Sequence, residues 1–262
     1  MGKFPRVNIL GVGISAIDLQ RAVGEIERWI VGGIAHYVNV CTVHTVMECQ
    51  NDARLRQIIN ASGLSTPDGM PLVWLSWLNG HRDAGRVYGP DLMLALCDRS
   101  RTTGHRHFFY GGAPGVAELL VRKLEARFPG IPVAGTHSPP YGATDAEEDR
   151  EVLGAINGAA ADIVWVGLGT PKQDYWVSRH RALLSAPVLI AVGAAFDFHA
   201  GLLRQAPRWM QRSGLEWLFR LLQEPRRLAY RYLVYNPLFV FRAVFQLAGI
   251  QRYTLSADAR DY

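Results

Sequence analysis

Cysteine is scarce in these 262 residues: Cys41, Cys49 and Cys97 are odd in number and have no C-x-x-C spacing. They exclude a disulfide framework and read as reduced core thiols of a cytosolic protein. The N-terminal MGKFPRVNIL has no apolar run with a small-residue cleavage site, and no uninterrupted apolar stretch is long enough to span a bilayer. Neither a secretory signal nor a transmembrane helix is expected. Repeats, low-complexity tracts and long linkers are also missing. Lysine is absent from Arg204 onward, where ten arginines face four acids, whereas the first 203 residues carry 18 basic and 19 acidic side chains. The net charge of +5 therefore belongs to the tail. With no reader motif for nucleic acid, that arginine set does not indicate a nucleic-acid partner.

What is present is a hydrophobic fraction of 49%, enough for a sizeable core, arranged as strands alternating with helices. Val7 to Ser15 reads as a strand followed by a helix over Ala16 to Ile30, and Tyr37 to Thr45 as a central strand followed by a helix over Val46 to Ala61. Further strands are expected at His107 to Gly112, Ile131 to Thr136, Asp162 to Leu168 and Pro187 to Ala194. Helices are expected from Pro90, at Val116 to Phe128, at Asp145 to Gly158 with an acidic first turn, and after Pro171. THSPPYG reads as a turn-rich loop. Such alternation predicts an α/β fold, a Rossmann-like, largely parallel sheet with helices on both faces. The composition divides the chain into residues 1–203, an α/β domain expected to carry any active site, and 204–262, an arginine-rich amphipathic appendage.

The stretch STPDGMPLVW places one carboxylate, Asp68, between Pro67 and Gly69 in apolar sequence. Pro67 fixes its own backbone and restrains Thr66, so Asp68 is held at an aimed position; it reads either as a catalytic group or as the cap of a helix starting near Met70. Thr42 and His44, two apart on an expected strand, would share a face near its carboxyl end, where open α/β sheets bind ligands. Gly11-x-Gly13-x-x-Ala16 imitates a dinucleotide fingerprint, but no acid ends the next strand. Gly111 and Gly112 form a strand-to-helix turn that suits either a phosphate or a tight connection; the lysine of a P-loop is missing. In GLGTPKQDYW, Gly167 and Gly169 permit close backbone approach and Gln173 projects from the first helical turn. Asp197 lies between two phenylalanines. From Arg204 to Arg231, seven arginines mix with Trp209, Trp217, Phe219 and leucines, as an anionic lipid or phosphate surface would require. The apolar stretch that follows is broken by Asn236, Pro237, Arg242 and Gln246, so it should lie in an interface rather than cross a membrane.

TPDGMPLV, RVYGPDL, GGAPGVAE, GLGTPKQDYW, GAAFDFHAG and GLEWLFRLLQEPRRL, in this order, resemble the WecG/TagA/CpsF glycosyltransferases, glycosyltransferase family 26. VHTVMECQ, PDGMPLVW, YGPDLMLALC and THSPPY look most like its xanthan-type GumM branch. The resemblance implies a GT-E-like fold with a C-terminal helical membrane-associating appendage. It implies transfer of a sugar, glucose in that branch, from a UDP-sugar to a polyprenyl-pyrophosphate-linked monosaccharide, with inversion, in exopolysaccharide biosynthesis at the cytoplasmic membrane face. Asp68 then matches the catalytic base, with Thr42 or His44 assisting. Arg86, Gln173 and Asp197 match donor- or acceptor-binding positions, and the turn glycines Gly111, Gly112 and Gly169 would approach the donor. Arg220 and Arg227 match arginines that close over the site; a third falls on Tyr230, with Arg231 beside it. No D-x-D occurs, so arginines and helix N-termini are expected to offset the leaving group in place of a metal. No cofactor is expected. An anionic membrane surface is the expected partner, and the apolar tail is also compatible with a homo-oligomer. The alternatives are a UDP-ManNAc or ManNAcA transferase of the same family, a Rossmann-type NAD-dependent oxidoreductase, and a non-catalytic membrane scaffold.

Overall fold

A computed structural model describes residues 4–139 and 146–255. The chain divides into two compact units, one made of Met1–Leu19, Val40–Tyr88 and Gln205–Tyr262, the other of Gln20–Asn39 and Gly89–Arg204.

The second unit carries most of a six-stranded sheet flanked by helices. Its strands are β3 (His36–Cys41), β5 (His107–Gly111), β6 (Val133–His137), β7 (Ile163–Gly167) and β8 (Val188–Ala191), in the order β3-β8-β7-β5-β6. The pairs are parallel, with Val38 opposite Ile190, Trp165 opposite Ile190 and Phe109 opposite Trp165. Ile163, Val164, Trp165 and Val166 are all buried, the run of apolar residues expected of strands covered on both faces. Helices α1 (Leu19–Gly32), α5 (Gly89–Thr103), α6 (Val116–Arg127), α7 (Ala146–Gly158), α8 (Lys172–His180) and α9 (Ala195–Ala200) belong here. In α1, Ala22, Val23, Ile26, Trp29 and Ile30 recur at helical spacing and are buried. The parallel α/β architecture is the one the alternation predicts. Pro140 to Gly142 of the expected loop and Asp145 of the expected acidic turn lie outside the described residues.

In the first unit, which also holds Val40 and Cys41 of β3, β4 (Leu64–Pro67) takes the sheet's edge position next to β3. Three expectations are corrected here. Val7 to Ser15 is not one strand but a hairpin of β1 (Arg6–Ile9) and β2 (Val12–Ser15), antiparallel with Ile9 opposite Val12. Leu10 and Gly11 both have positive φ, 53° and 82°, which gives the two-residue turn whose twist matches a hairpin. Gly11 and Gly13 therefore do not sit on a strand-to-helix turn, and the structural context of a dinucleotide fingerprint is missing. The strand expected to reach Thr45 stops at Cys41, because Thr42 caps α2 (Val43–Asn51). Asp52 then divides the expected helix: it ends α2 and caps α3 (Ala53–Asn60), its side chain accepting from Leu55 N at 3.0 Å.

The remaining helices of this unit are α4 (Met70–Leu78), α10 (Arg208–Arg212), α11 (Glu216–Gln223), α12 (Pro225–Tyr230) and α13 (Asn236–Leu247), with a π-helical turn over Arg231–Tyr235. The tail thus belongs to the same compact unit as Asp68. Pro237 lies inside a continuous helical run from Pro225 to Leu247, directly after the π-helical turn, where its ring removes one main-chain donor. Among the described residues no helix is long and apolar enough to cross a membrane.

Candidate active site

The Asp68 turn is built by its neighbours. Pro67 closes β4, and its carbonyl accepts from Val87 N at 2.8 Å; Asp68 N donates to Cys41 O at 2.9 Å. Gly69, at φ −86° and ψ 140°, is the N-cap of α4, and the cap has no side-chain hydrogen bond. The capping alternative for Asp68 is thereby corrected: its carboxylate is aimed elsewhere. Arg86 donates through Nε to the Asp68 carbonyl and through Nη2 to Asp68 Oδ1 at 3.0 Å. The same Nη2 donates to Glu216 Oε2 at 2.5 Å, and the guanidinium lies 4.1 Å from the centre of the Tyr88 ring.

With only 14% of its side chain exposed, Asp68 is costly to ionise. Burial is the largest influence and raises its pKa to about 6; Glu216 adds to the rise, while Arg86 and Arg220 oppose it. The Tyr88 hydroxyl is held well above its usual range by burial and by the Glu216 and Asp68 charges, so it remains a neutral phenol. Arg86 is disfavoured by burial, yet Asp68 and Glu216 outweigh that and hold it charged. A carboxylate with a pKa near 6 is suited to take a proton near neutral pH.

Thr42 and His44 do not share a strand face; both stand at the start of α2. Thr42 forms a capping box with Thr45 and accepts from Arg231 Nη2 at 3.4 Å. His44 stacks on Tyr235 with ring centres 5.8 Å apart, its Nδ1 lying 3.6 Å from Glu48 Oε1. Burial, then the Arg231 charge, lowers its pKa to about 3, so it is neutral and a weak proton acceptor.

Three tail arginines gather nearby. Arg220 lies 3.9 Å from Glu224, and Arg227, 58% exposed, bonds the same carboxylate at 2.5 Å. The buried Nε of Arg231 has no hydrogen-bond partner among the described residues. Burial lowers the Arg231 pKa, the Arg220 and Arg227 charges lower it further, and the Asp68 carboxylate works the other way.

The other expected site residues lie in the second unit, at the carboxyl ends of its strands. Gly111, at φ 123°, passes so close to β7 that a Cβ there would stand 2.7 Å from the Gly167 carbonyl. Gly112 N donates to that carbonyl at 3.0 Å. Gly169 N donates to Gln173 Oε1 at 3.1 Å, tying the first turn of α8 back onto its loop. Asp197 is in the first turn of α9, where its carbonyl accepts from Leu202 N and Leu203 N. Beside Gln173, Asp174 is buried and accepts from Asn39 Nδ2 at 2.7 Å; burial raises its pKa to about 6 despite bonds from Asn39 and Thr170. Glu216, Tyr88, Asn39 and Asp174 were not singled out by the sequence. An acid in an aromatic helix, as in LEWLF, is the one local signal that could have drawn notice to Glu216. Among the described residues no group of three or more His, Cys, Asp or Glu side chains could hold a metal ion.

The sequence model of the Glycosyl transferase WecG/TagA/CpsF family matches residues 7–253. An N-acetylglucosaminyldiphosphoundecaprenol N-acetyl-beta-D-mannosaminyltransferase of Bacillus spizizenii is 32% identical over 180 residues, covering 69% of this chain and 68% of the relative. A protein of the same name from Bacillus subtilis is 32% identical over 170 residues, covering 65% of this chain and 64% of the relative. The chain belongs to the WecG/TagA/CpsF glycosyltransferase family.

Proposed function

We propose that this WecG/TagA/CpsF glycosyltransferase moves a sugar from a UDP-sugar to a polyprenyl-diphosphate-linked monosaccharide, with Asp68 as general base. The observation that carries the reading is the carboxylate of Asp68, buried, raised to about pKa 6 and fixed by Arg86 on a turn that it does not cap. The acceptor hydroxyl gives its proton to Asp68 as its oxygen bonds the anomeric carbon. The bond from that carbon to the UDP oxygen breaks, the electron pair leaves with UDP, and the configuration inverts. His44, at about pKa 3, is the weaker candidate for that proton, which leaves Thr42 to hold Arg231. Arg220, Arg227 and Arg231 supply positive charge to the departing diphosphate without a metal, a role that preorganised donors perform well in a site with little water. The glycine turns at Gly111, Gly112 and Gly169, with Gln173 and Asp197, hold the donor.

The relatives' names support the acceptor class. Glucose as the sugar and exopolysaccharide as the product rest on the resemblance of VHTVMECQ and THSPPY to the xanthan-type branch. A screen of UDP-sugars against prenyl-diphosphate-linked glucose and N-acetylglucosamine, with product linkage determined, tests this: the UDP-glucose reaction on the glucose acceptor should dominate. Turnover only with an N-acetylmannosamine donor would replace it with the relatives' reaction. Asp68→Asn is expected to keep the fold and UDP binding and to lower transfer by roughly 10²–10⁴-fold. Activity that EDTA abolished and Mg²⁺ restored would contradict the metal-free part. The protein works on a lipid-linked acceptor at the cytoplasmic face of the membrane, where the arginine-rich tail, with Trp209, Leu222 and Phe241 exposed, provides an anchoring surface.

A further inference from the structure

Glu216 belongs to none of the expected donor or acceptor contacts, yet its carboxylate shares one guanidinium nitrogen with Asp68. Arg86 spends Nε on the Asp68 main-chain carbonyl, which fixes the turn. The nitrogen it presents to the Asp68 carboxylate, Nη2, is the one Glu216 binds at 2.5 Å, against 3.0 Å to Asp68. A guanidinium that grips a carboxylate with two nitrogens makes it a much weaker base. Here the grip is single and divided.

Glu216 is also the first residue of α11, with Arg220 one turn later on the same face. Gly214, two residues earlier at φ 74°, lies so close to Trp74 of α4 that a Cβ would stand 2.7 Å from Cη2 of the indole. The start of α11 is therefore pinned at two points: by the Trp74 ring on the helix that follows Asp68, and by Arg86 on Asp68 itself.

We infer that Glu216 is a positioning residue for the transfer reaction: by holding Arg86 away from a two-nitrogen grip on Asp68 it keeps that carboxylate basic, and by docking α11 it sets Arg220 beside the same turn. The charged and titratable groups that act on Asp68 are Arg86 and Tyr88 from the loop before α5, Glu216 and Arg220 from α11, and Arg231 from the π turn. Among these, Glu216 is the acid that raises Asp68 while the Arg86 and Arg220 charges lower it. This inference rests on Asp68 being the base, so its test has a readout that does not depend on turnover.

In the full chain carrying ¹³C-labelled aspartate, the Asp68 carboxyl resonance is identified by its loss in Asp68→Asn, and its titration is followed. The wild-type midpoint is expected near pH 6. Glu216→Gln keeps a hydrogen-bond acceptor for Arg86 and removes the charge, so the midpoint should fall by about one pH unit, with the acid limb of kcat/KM moving in parallel. Glu216→Asp, which restores the charge, should bring the midpoint back toward the wild-type value. An unmoved midpoint in Glu216→Gln, whatever its effect on Tm, would overturn the inference and leave Glu216 a structural tether. A midpoint that moves while Asp68→Asn retains full transfer would uphold the tuning and reject Asp68 as base.

Discussion

Asp68 shows how burial and charge compete at one side chain. Arg86 at 3.0 Å pulls its pKa down, yet desolvation and Glu216 win, and the group sits near 6. Two consequences follow at this scale. The folded chain holds a proton at Asp68 that the unfolded chain has shed between about pH 4 and 6, so this group's contribution to stability is present below that window and lost as pH rises through it. Relative to wild type, Asp68→Asn should therefore gain stability between pH 4 and pH 7, by on the order of 1–3 kcal/mol, in urea unfolding at the two pH values. An equal difference at both would mean the carboxyl is not perturbed. His44 has the opposite sign: with its folded pKa lowered to about 3, the stability it permits is full above about pH 6.5 and lost as pH falls toward 3.

Gly111 carries a backbone prediction. At φ 123°, with β7's carbonyl 2.7 Å from where a Cβ would stand, Gly111→Ala should destabilise the fold by about 1–3 kcal/mol or more, read as a fall in Tm and a lower urea midpoint. An unchanged midpoint would show that the strand can shift away.

At the scale of elements, the apolar strands β5, β7 and β8 and the periodic helices α1 and α6 were legible, since a buried parallel strand and an amphipathic helix each leave a repeating pattern. What misled lay in single residues. Leu10-Gly11 folds Val7 to Ser15 back on itself, but a leucine at positive φ carries no turn signal in sequence. Thr42 and Asp52 end one element and cap the next, and a capping threonine looks like any β-branched strand residue until the chain turns. Asp68 was legible as an isolated acid between Pro67 and Gly69. Its partner Glu216 was not, because 148 positions of sequence give no indication that an acid in a tail helix meets a turn after β4.

The tail helices carry a prediction of their own. On α13, Phe241 and Val244 are 56% and 54% exposed while Phe239 and Ala243 are buried. Phe241→Asp with Val244→Asp should weaken binding to anionic liposomes in co-sedimentation and leave Tm within a few degrees of wild type, since surface substitutions away from the core cost little. Undiminished sedimentation would place the anchoring surface elsewhere.

For the whole molecule, the tail is part of the body that carries Asp68, since Gln205–Tyr262 and Val40–Tyr88 form one compact unit. Deleting it would remove Glu216, Arg220 and Arg231 together with any membrane surface, so point substitutions separate anchoring from chemistry where truncation cannot. The excess of positive charge in this segment thus has two uses in the proposed enzyme: buried arginines at the carboxylate and exposed ones at the lipid. The measurement that bears most directly on the central claim is the rate of sugar transfer to a prenyl-diphosphate-linked acceptor as a function of pH, for wild type and Asp68→Asn. The account predicts an acid limb with a midpoint near pH 6 in the wild type, and a rate lower by roughly 10²–10⁴-fold in the variant, with that limb gone. Equal rates and the same limb in both proteins would contradict it.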